Sequence, residues 1–362
     1  MDEKKGKPKY KELANWMEKE ITSNFSGGDR FYSELELSKK FSVNRQTVRR
    51  SFEVLEKKGL LFKKKGQGMF ITRRFFEKRA MKTIGMISTY QDSYIFPNII
   101  KGIDQVLGEQ GYRLQLALTQ NRLENEGHHL ASMLHDGVDG IIVEPTKSGL
   151  PNPNKEIFHA IQNERIPLVF FNANYPEVQA PYVSLDDYVV GRKATKYLIK
   201  KGHKRIATIM KSDDRQGLLR YSGYMETMIE SGLGFNSHDL AWYSTEDIPY
   251  IQEDFQRFYR AVQDCSAIFC YNDQIALKVI QVLESIGLRV PDDLSVIGVD
   301  NSEYTNMSYV KLTSVAHPME ELGRGVAQKI LTLLTDPEDT RNVKFKPTIA
   351  EGESVADIRI EE

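Results

Sequence analysis

NRQTVRRSFEVLEKK, Asn44 to Lys58, is the stretch from which the fold can be worked out. Asn44 suits a helix N-cap, because its side-chain oxygen can accept from the free amides of the first turn. Val48, Phe52 and Leu55 then recur at helical spacing and predict a face turned to a core. Arg45 and Arg49 stand one turn apart with Gln46 and Arg50 beside them, so the outward face is cationic and rich in donors. Arg can grip a guanine edge with two bonds and Gln an adenine edge, and either can hold a phosphate. A solvated basic helix has the same pattern, so the neighbours must decide.

Upstream, Lys9 to Ser23 carries Leu13, Trp16, Met17 and Ile21 at helical spacing, and Phe25-Ser26-Gly27-Gly28-Asp29 breaks it. Ser33-Glu34-Leu35-Glu36 is a capping box that opens a short helix ending at Phe41. Ser42-Val43 then makes a tight turn into the Arg-bearing helix, which is the arrangement of a helix-turn-helix. Downstream, the Leu60–Lys65 run, Gly66-Gln67-Gly68 and Met69-Phe70-Ile71 read as strand, glycine turn and strand. A hairpin of that kind, with three lysines before its tip, suits a minor groove.

The charge is unevenly spread. Residues 1–82 hold 22 Lys and Arg against 11 Asp and Glu, and the remainder holds 27 against 39. A basic head on an acidic body predicts a polyanion partner for the head alone. At 362 residues the chain is long for one core, so two or three domains are expected. No apolar run is long enough to span a membrane, and MDEKKGKPKYKE lacks the apolar stretch of a signal peptide, so a cytoplasmic protein without a membrane partner is expected. Cys265 and Cys270 are the only cysteines, and they read as reduced thiols without a metal.

The run SELELSKKFSVNRQTVRRSFEVLEKKGLLFKKKGQGMFI resembles the winged helix-turn-helix of GntR-type regulators. The marks are the capping-box helix, the R-x-T-V-R core from Arg45 to Arg49, the K-G-L-L step at Lys58 to Leu61 and the G-x-G tip. Tyr32 stands where that family usually has Pro. The resemblance implies that Arg45, Gln46, Thr47 and Arg49 face the major groove of double-stranded operator DNA. It also implies that Gln67 and Gly68 reach the minor groove, with Lys9 and Glu34 at the edge of the interface. Residues 1–73 are thus read as the DNA-binding domain. Residues 74–82 are read as a linker, a short helix continuing the head being the alternative.

From Thr83 onward strands alternate with helices. Apolar runs at Ile84–Ser88, Leu114–Leu118, Gly140–Val143, Leu168–Phe171, Ile206–Met210, Ala267–Cys270 and Val296–Val299 predict parallel sheets with helices between. Nearly 280 residues of this kind predict two similar lobes with a cleft, and ligands in such folds sit beyond the carboxyl ends of the strands. That rule selects Thr89-Tyr90, Glu144, Asn172, Asn272-Asp273 and Asp300-Asn301. Helix capping is the competing reading, favoured here for Asp186 and Asp273. Glu144, followed by Pro145, is read as a ligand residue. Arg220 is read either as a clamp on ligand or as the partner of a carboxylate.

TIGMIST, DGVDGIIVEP, IPLVFFN, LDDYVVGRKATKYLIKKGHKRIA, RYSGY, AIFCYNDQIALKVIQVLESIGLRVPDDLSVIGVDN and LTSVAHP are similar to the LacI/GalR-type effector domain, a relative of periplasmic sugar-binding proteins. The resemblance covers most of 83–330 and implies an α/β periplasmic-binding-protein-like domain of two parallel-sheet lobes. It implies that Tyr90, Phe96, Glu144, Asn172, Arg220, Asn272, Asp300 and His317 line a sugar site. A GntR-type head on this body, with SYIFPNIIKGI and GIIVEPTKS, resembles the arabinose-responsive repressors. That implies L-arabinose as effector, no cofactor and a homodimer on a palindromic operator. A regulator of the same build responding to another pentose, a sugar phosphate or a purine is the serious alternative. A transport binding protein would have no use for the basic head. Catalysis is not expected, since neither G-x-S-x-G nor G-x-x-x-x-G-K-[ST] occurs.

Overall fold

The computed structural model describes residues 9–64, 67–72, 82–91, 94–234, 236–253 and 255–359, without the side chains of 255–257. Contacts divide the chain between Lys82 and Thr83 into two compact units. Most of the expected linker, and Gly66 of the wing, lie outside the described residues.

The head consists of α1 (Lys9–Asn24), α2 (Glu34–Phe41), α3 (Arg45–Lys57) and the antiparallel pair β1 (Leu61–Lys64) and β2 (Gly68–Ile71). Local chemistry sets each boundary. The Ser33 amide donates to Glu36 Oε2 at 2.6 Å and the Glu36 amide to Ser33 Oγ at 3.3 Å, so the capping box forms despite Tyr32. Ser42 ends α2 in the left-handed region, at φ 50°. Asn44 Oδ1 then accepts from the Thr47 amide at 2.7 Å and starts α3. Leu13, Met17, Ile21, Leu37, Val48, Phe52, Leu55 and Ile71 form the head's core.

The body begins with β3 (Thr83–Ser88), α4 (Phe96–Glu109), β4 (Arg113–Leu118), α5 (Leu123–Asp136), β5 (Gly140–Val143), α6 (Lys155–Asn163), β6 (Leu168–Phe171) and β7 (Tyr182–Leu185). The second lobe follows as α7 (Asp187–Lys200), β8 (Ile206–Lys211), α8 (Arg215–Glu230), β9 (Leu240–Tyr243), α9 (Phe255–Val262), β10 (Ala267–Cys270), α10 (Asp273–Ser285), β11 (Ser295–Asp300) and β12 (Thr313–Ala316). The chain then returns to the first lobe with α11 (Met319–Thr335) and β13 (Val343–Phe345), and closes the second with β14 (Thr348–Ala350).

The two sheets have the orders β13-β7-β6-β5-β3-β4 and β14-β12-β11-β10-β8-β9, and all pairs are parallel except β12 with β14. Runs such as GIIV, LVFF and AIFC are buried throughout because helices cover both faces of each sheet. In both lobes the strand order reverses beside the first strand of the lobe, β3 or β8, and the cleft opens there. In the second lobe α7 crosses α8 at Gly191 and Gly223. A Cβ on Gly191 would lie 2.0 Å from the Arg220 carbonyl oxygen, and one on Gly223 would lie 2.1 Å from that of Tyr188.

Two expectations about capping are corrected. Asp186 precedes α7, but its side chain makes no cap bond and lies 3.6 Å from Lys344 Nζ. Asp273 is the first residue of α10, and the cap is Asn272, whose Oδ1 accepts from the Ile275 amide at 3.0 Å. One position past the cap, the Asp273 carboxylate turns inward and accepts from the Ser302 amide at 2.7 Å and Ser314 Oγ at 2.6 Å.

Candidate nucleic-acid interface and effector site

On the head, Arg45, Gln46, Arg49 and Arg50 are exposed on α3, and Thr47 is half-buried. The Thr47 hydroxyl donates to Asn44 Oδ1 at 2.8 Å, which leaves its lone pairs to accept. Glu34 opens α2 and binds Arg49 Nε through both carboxylate oxygens, at 3.1 and 3.0 Å. Gln67 is exposed at the hairpin tip, and Gly68 follows it at φ 103°, a conformation that favours glycine. Lys9 is exposed at the start of α1. Arg30, which the motif reading did not select, lies beside the hairpin, its Nε 3.5 Å from where a Cβ on Gly68 would be.

In the body, a cavity of about 350 Å³ lies between the lobes, beyond the carboxyl ends of the strands. Of the eight residues expected to bind sugar, Tyr90, Phe96, Glu144, Asn172, Arg220, Asn272 and Asp300 line it. His317 does not. It follows β12 and is buried, and its amide donates to the Asp300 carbonyl at 3.2 Å. Its place in the site rests on the family resemblance alone, and here the side chain is buried behind the cavity wall.

The first lobe contributes Glu144, after β5. Its Oε2 accepts from the Thr89 amide at 2.8 Å and Thr89 Oγ1 at 2.6 Å, and its Oε1 accepts from Asn172 Nδ2 at 2.9 Å. Burial raises the Glu144 pKa, and these donors oppose the rise. Asn172, at φ 62°, has its Oδ1 buried without a hydrogen-bond partner. Tyr90 and Phe96 pack edge to face, with centroids 5.8 Å apart, and give the cavity an aromatic wall.

The second lobe contributes Arg220 from α8. It lines the cavity and is also the partner of a carboxylate. Its Nε donates to Asp187 Oδ1 at 2.8 Å, its Nη1 donates to the Tyr271 carbonyl at 2.5 Å, and its Nη2 stands 4.0 Å from Asp300 Oδ1. The guanidinium also lies over the Tyr271 ring, 4.7 Å from its centroid. Burial pushes the Asp187 carboxyl up to about 6 against the pull of Arg220. Removing one member of such a buried pair costs roughly 3–5 kcal/mol, because the other is left uncompensated.

Lys211, at the end of β8, also lines the cavity. Its Nζ lies 2.7 Å from Asp214 Oδ2 and 3.6 Å from Asp213 Oδ1. Burial disfavours its charge, and the two aspartates outweigh this and raise its pKa. Tyr94, Asn121, Gln216, Thr245 and Tyr271 complete much of the wall. Among the described residues no cluster of three or more His, Cys, Asp or Glu is arranged to hold a metal ion, and no helix is long and apolar enough to cross a membrane.

Comparison with known proteins agrees with both halves. Residues 9–71 match the bacterial regulatory proteins of the gntR family, and residues 195–355 match the periplasmic binding protein-like domain. An arabinose metabolism transcriptional repressor of Halalkalibacterium halodurans is 35% identical over 91% of this chain and 91% of its own. One from Geobacillus stearothermophilus is 36% identical over 90% of this chain and 91% of its own. Among solved structures, the transcription regulator CcpA of Lactococcus lactis superposes with a TM-score of 0.67 at 26% identity, covering 76% of this chain and 99% of that one. With a gntR-type head, a two-lobed body and this identity along nine-tenths of its length, the chain belongs to the family of arabinose metabolism transcriptional repressors.

Proposed function

We propose that L-arabinose is the effector, that it binds in the cavity between the lobes, and that a homodimer of the chain holds a palindromic operator until the sugar releases it. The observation that carries this reading is the pairing of charge in the cavity. Lys211 is committed to Asp214 and Arg220 to Asp187, while Glu144 and Asp300 add carboxylates to the wall. A sugar phosphate would have to break one of those ion pairs, whereas a neutral polyol can donate hydroxyls to the carboxylates with both ion pairs intact. A volume of about 350 Å³ is at the small end for ligand sites, which suits a single sugar ring. Tyr90 and Phe96 supply an apolar surface for one face of that ring.

The same reading makes the cavity a binding site rather than a catalytic one. The sugar acts by favouring one lobe geometry, and it can do so only by binding the two geometries unequally. Calorimetric titration of the full chain with L-arabinose, D-ribose, D-xylose, D-glucose and their phosphates tests the assignment. Saturable binding of L-arabinose, with the phosphates silent, is expected. Tighter binding of a phosphate or of another pentose overturns it. Light scattering at working concentration tests the dimer, for which a mass of one chain is the contrary result.

A further inference from the structure

We propose that Tyr94 is an effector-site residue that competes with the sugar for Asp300. This rests on the reading of the cavity as the sugar site. The Tyr94 hydroxyl, just ahead of α4 in the first lobe, donates to the Asp300 carboxylate at the end of β11 in the second, and both residues line the cavity. The Tyr94 ring packs against Tyr304, with centroids 5.5 Å apart, so the phenol is aimed rather than loose.

Asp300 is 3% exposed, and among the described residues Tyr94 is the only side chain that donates a hydrogen bond to its carboxylate. Arg220 Nη2, at 4.0 Å from Oδ1, is beyond hydrogen-bond distance. A carboxylate has about four acceptor sites, so one donor leaves it short of partners in a setting where unmet polar groups are costly. Two vicinal hydroxyls bring two donors, and exchanging the phenol for them gains a bond. The backbone agrees. Tyr94 sits at φ 66° and Asp300 at φ 103°, conformations that residues other than glycine adopt at a cost and that cluster where a contact is meant to change.

The bond also joins the lobes at one edge of the cleft. At another, Asn121 Nδ2 donates to Thr245 Oγ1 at 2.6 Å and Lys147 pairs with Glu246. Tyr94 therefore sets the effector threshold. A ligand without adjacent hydroxyls at that end does not displace the phenol, and one with them does.

Tyr94→Phe keeps the ring against Tyr304 and removes only the donor. In calorimetric titration of the full chain with L-arabinose, the variant binds about tenfold tighter than the wild type, the loss of one competing hydrogen bond. Equal or weaker binding overturns the competition. Amide hydrogen exchange of the sugar-free proteins is the second readout. Faster exchange in the variant at residues 94–99 and 299–301 supports the cross-lobe bond, and unchanged exchange overturns it. If the wild type binds no L-arabinose while exchange quickens in the variant, the sugar assignment fails and the Tyr94–Asp300 bond stands.

Discussion

Glu34 holds Arg49 by its Nε, which lies 3.1 and 3.0 Å from the two carboxylate oxygens, and leaves the ends of the guanidinium to reach outward. The Arg49 side chain is 64% exposed and that of Glu34 32%, so the pair contributes little to folding, and its value lies in the direction it gives the fork.

If Arg49 reads a base, Arg49→Ala weakens operator binding by about 1–3 kcal/mol and relaxes discrimination at one position. Glu34→Ala removes a negative charge near the phosphates and frees the fork. Affinity for a scrambled duplex then holds or rises, while preference for the operator falls. Fluorescence anisotropy on both duplexes measures the ratio. A Glu34→Ala variant with the wild-type ratio would show that the carboxylate does not position the arginine.

Gly191→Ala tests the crossing of α7 and α8. The added methyl would meet the Arg220 carbonyl oxygen at 2.0 Å, so the helices must separate. Overpacking of this kind costs roughly 1–3 kcal/mol. The helix that moves carries Arg220, so the urea midpoint falls and L-arabinose affinity falls with it. A variant equal to the wild type in both measurements would mean that the crossing adjusts without strain.

The head could be read from sequence almost to its helix ends, because caps are local. Ser33 with Glu36, and Asn44 with Thr47, each specify a boundary within four residues. The carboxyl-end rule reached Glu144, Asn172, Asn272 and Asp300 because a buried run and the polar residue after it are contiguous. It stops short of Lys211 because the apolar run ends at Met210, although β8 extends through the lysine. Tyr94 and Asn121 were out of reach, since loops deliver them and only the packed lobes bring them to the cavity. Strands β13 and β14 lie at sheet edges with partly exposed residues and so lack the apolar signature. Asp273 shows the limit of the rule, because position along the chain gives the backbone's place but not the side chain's direction, and His317, which only the family resemblance implies, lies outside the cavity wall.

Glu144→Gln keeps the shape at the end of β5 and changes only the bonding. The carboxylate accepts from Thr89 on one oxygen and from Asn172 on the other, so a carboxamide must turn its NH₂ toward a donor. One buried donor is left unmet, at a cost of about 1–3 kcal/mol. L-arabinose affinity is expected to fall by at least about tenfold. Operator binding without sugar is expected to persist. Wild-type affinity for the sugar in this variant would reduce Glu144 to a scaffold residue.

His317 supplies a pH dependence of known sign. Burial holds its imidazole down to about 4 from an ordinary 6.5, with Asp300 pulling the other way and Arg220 reinforcing the fall. Between those values the unfolded chain takes up a proton that the folded chain refuses, so this residue's contribution to stability is lost as pH falls from about 6.5 toward 4. One proton limits the slope to about 1.4 kcal/mol per pH unit. Asp273, raised by burial to about 7, acts oppositely, because its folded form holds a proton longer than the unfolded chain does. The wild-type profile sums these effects, so the informative quantity is the difference between wild type and His317→Gln in urea unfolding from pH 7 to 4. That difference moves in the variant's favour as pH falls, and a difference independent of pH would mean that the imidazole titrates alike in both states.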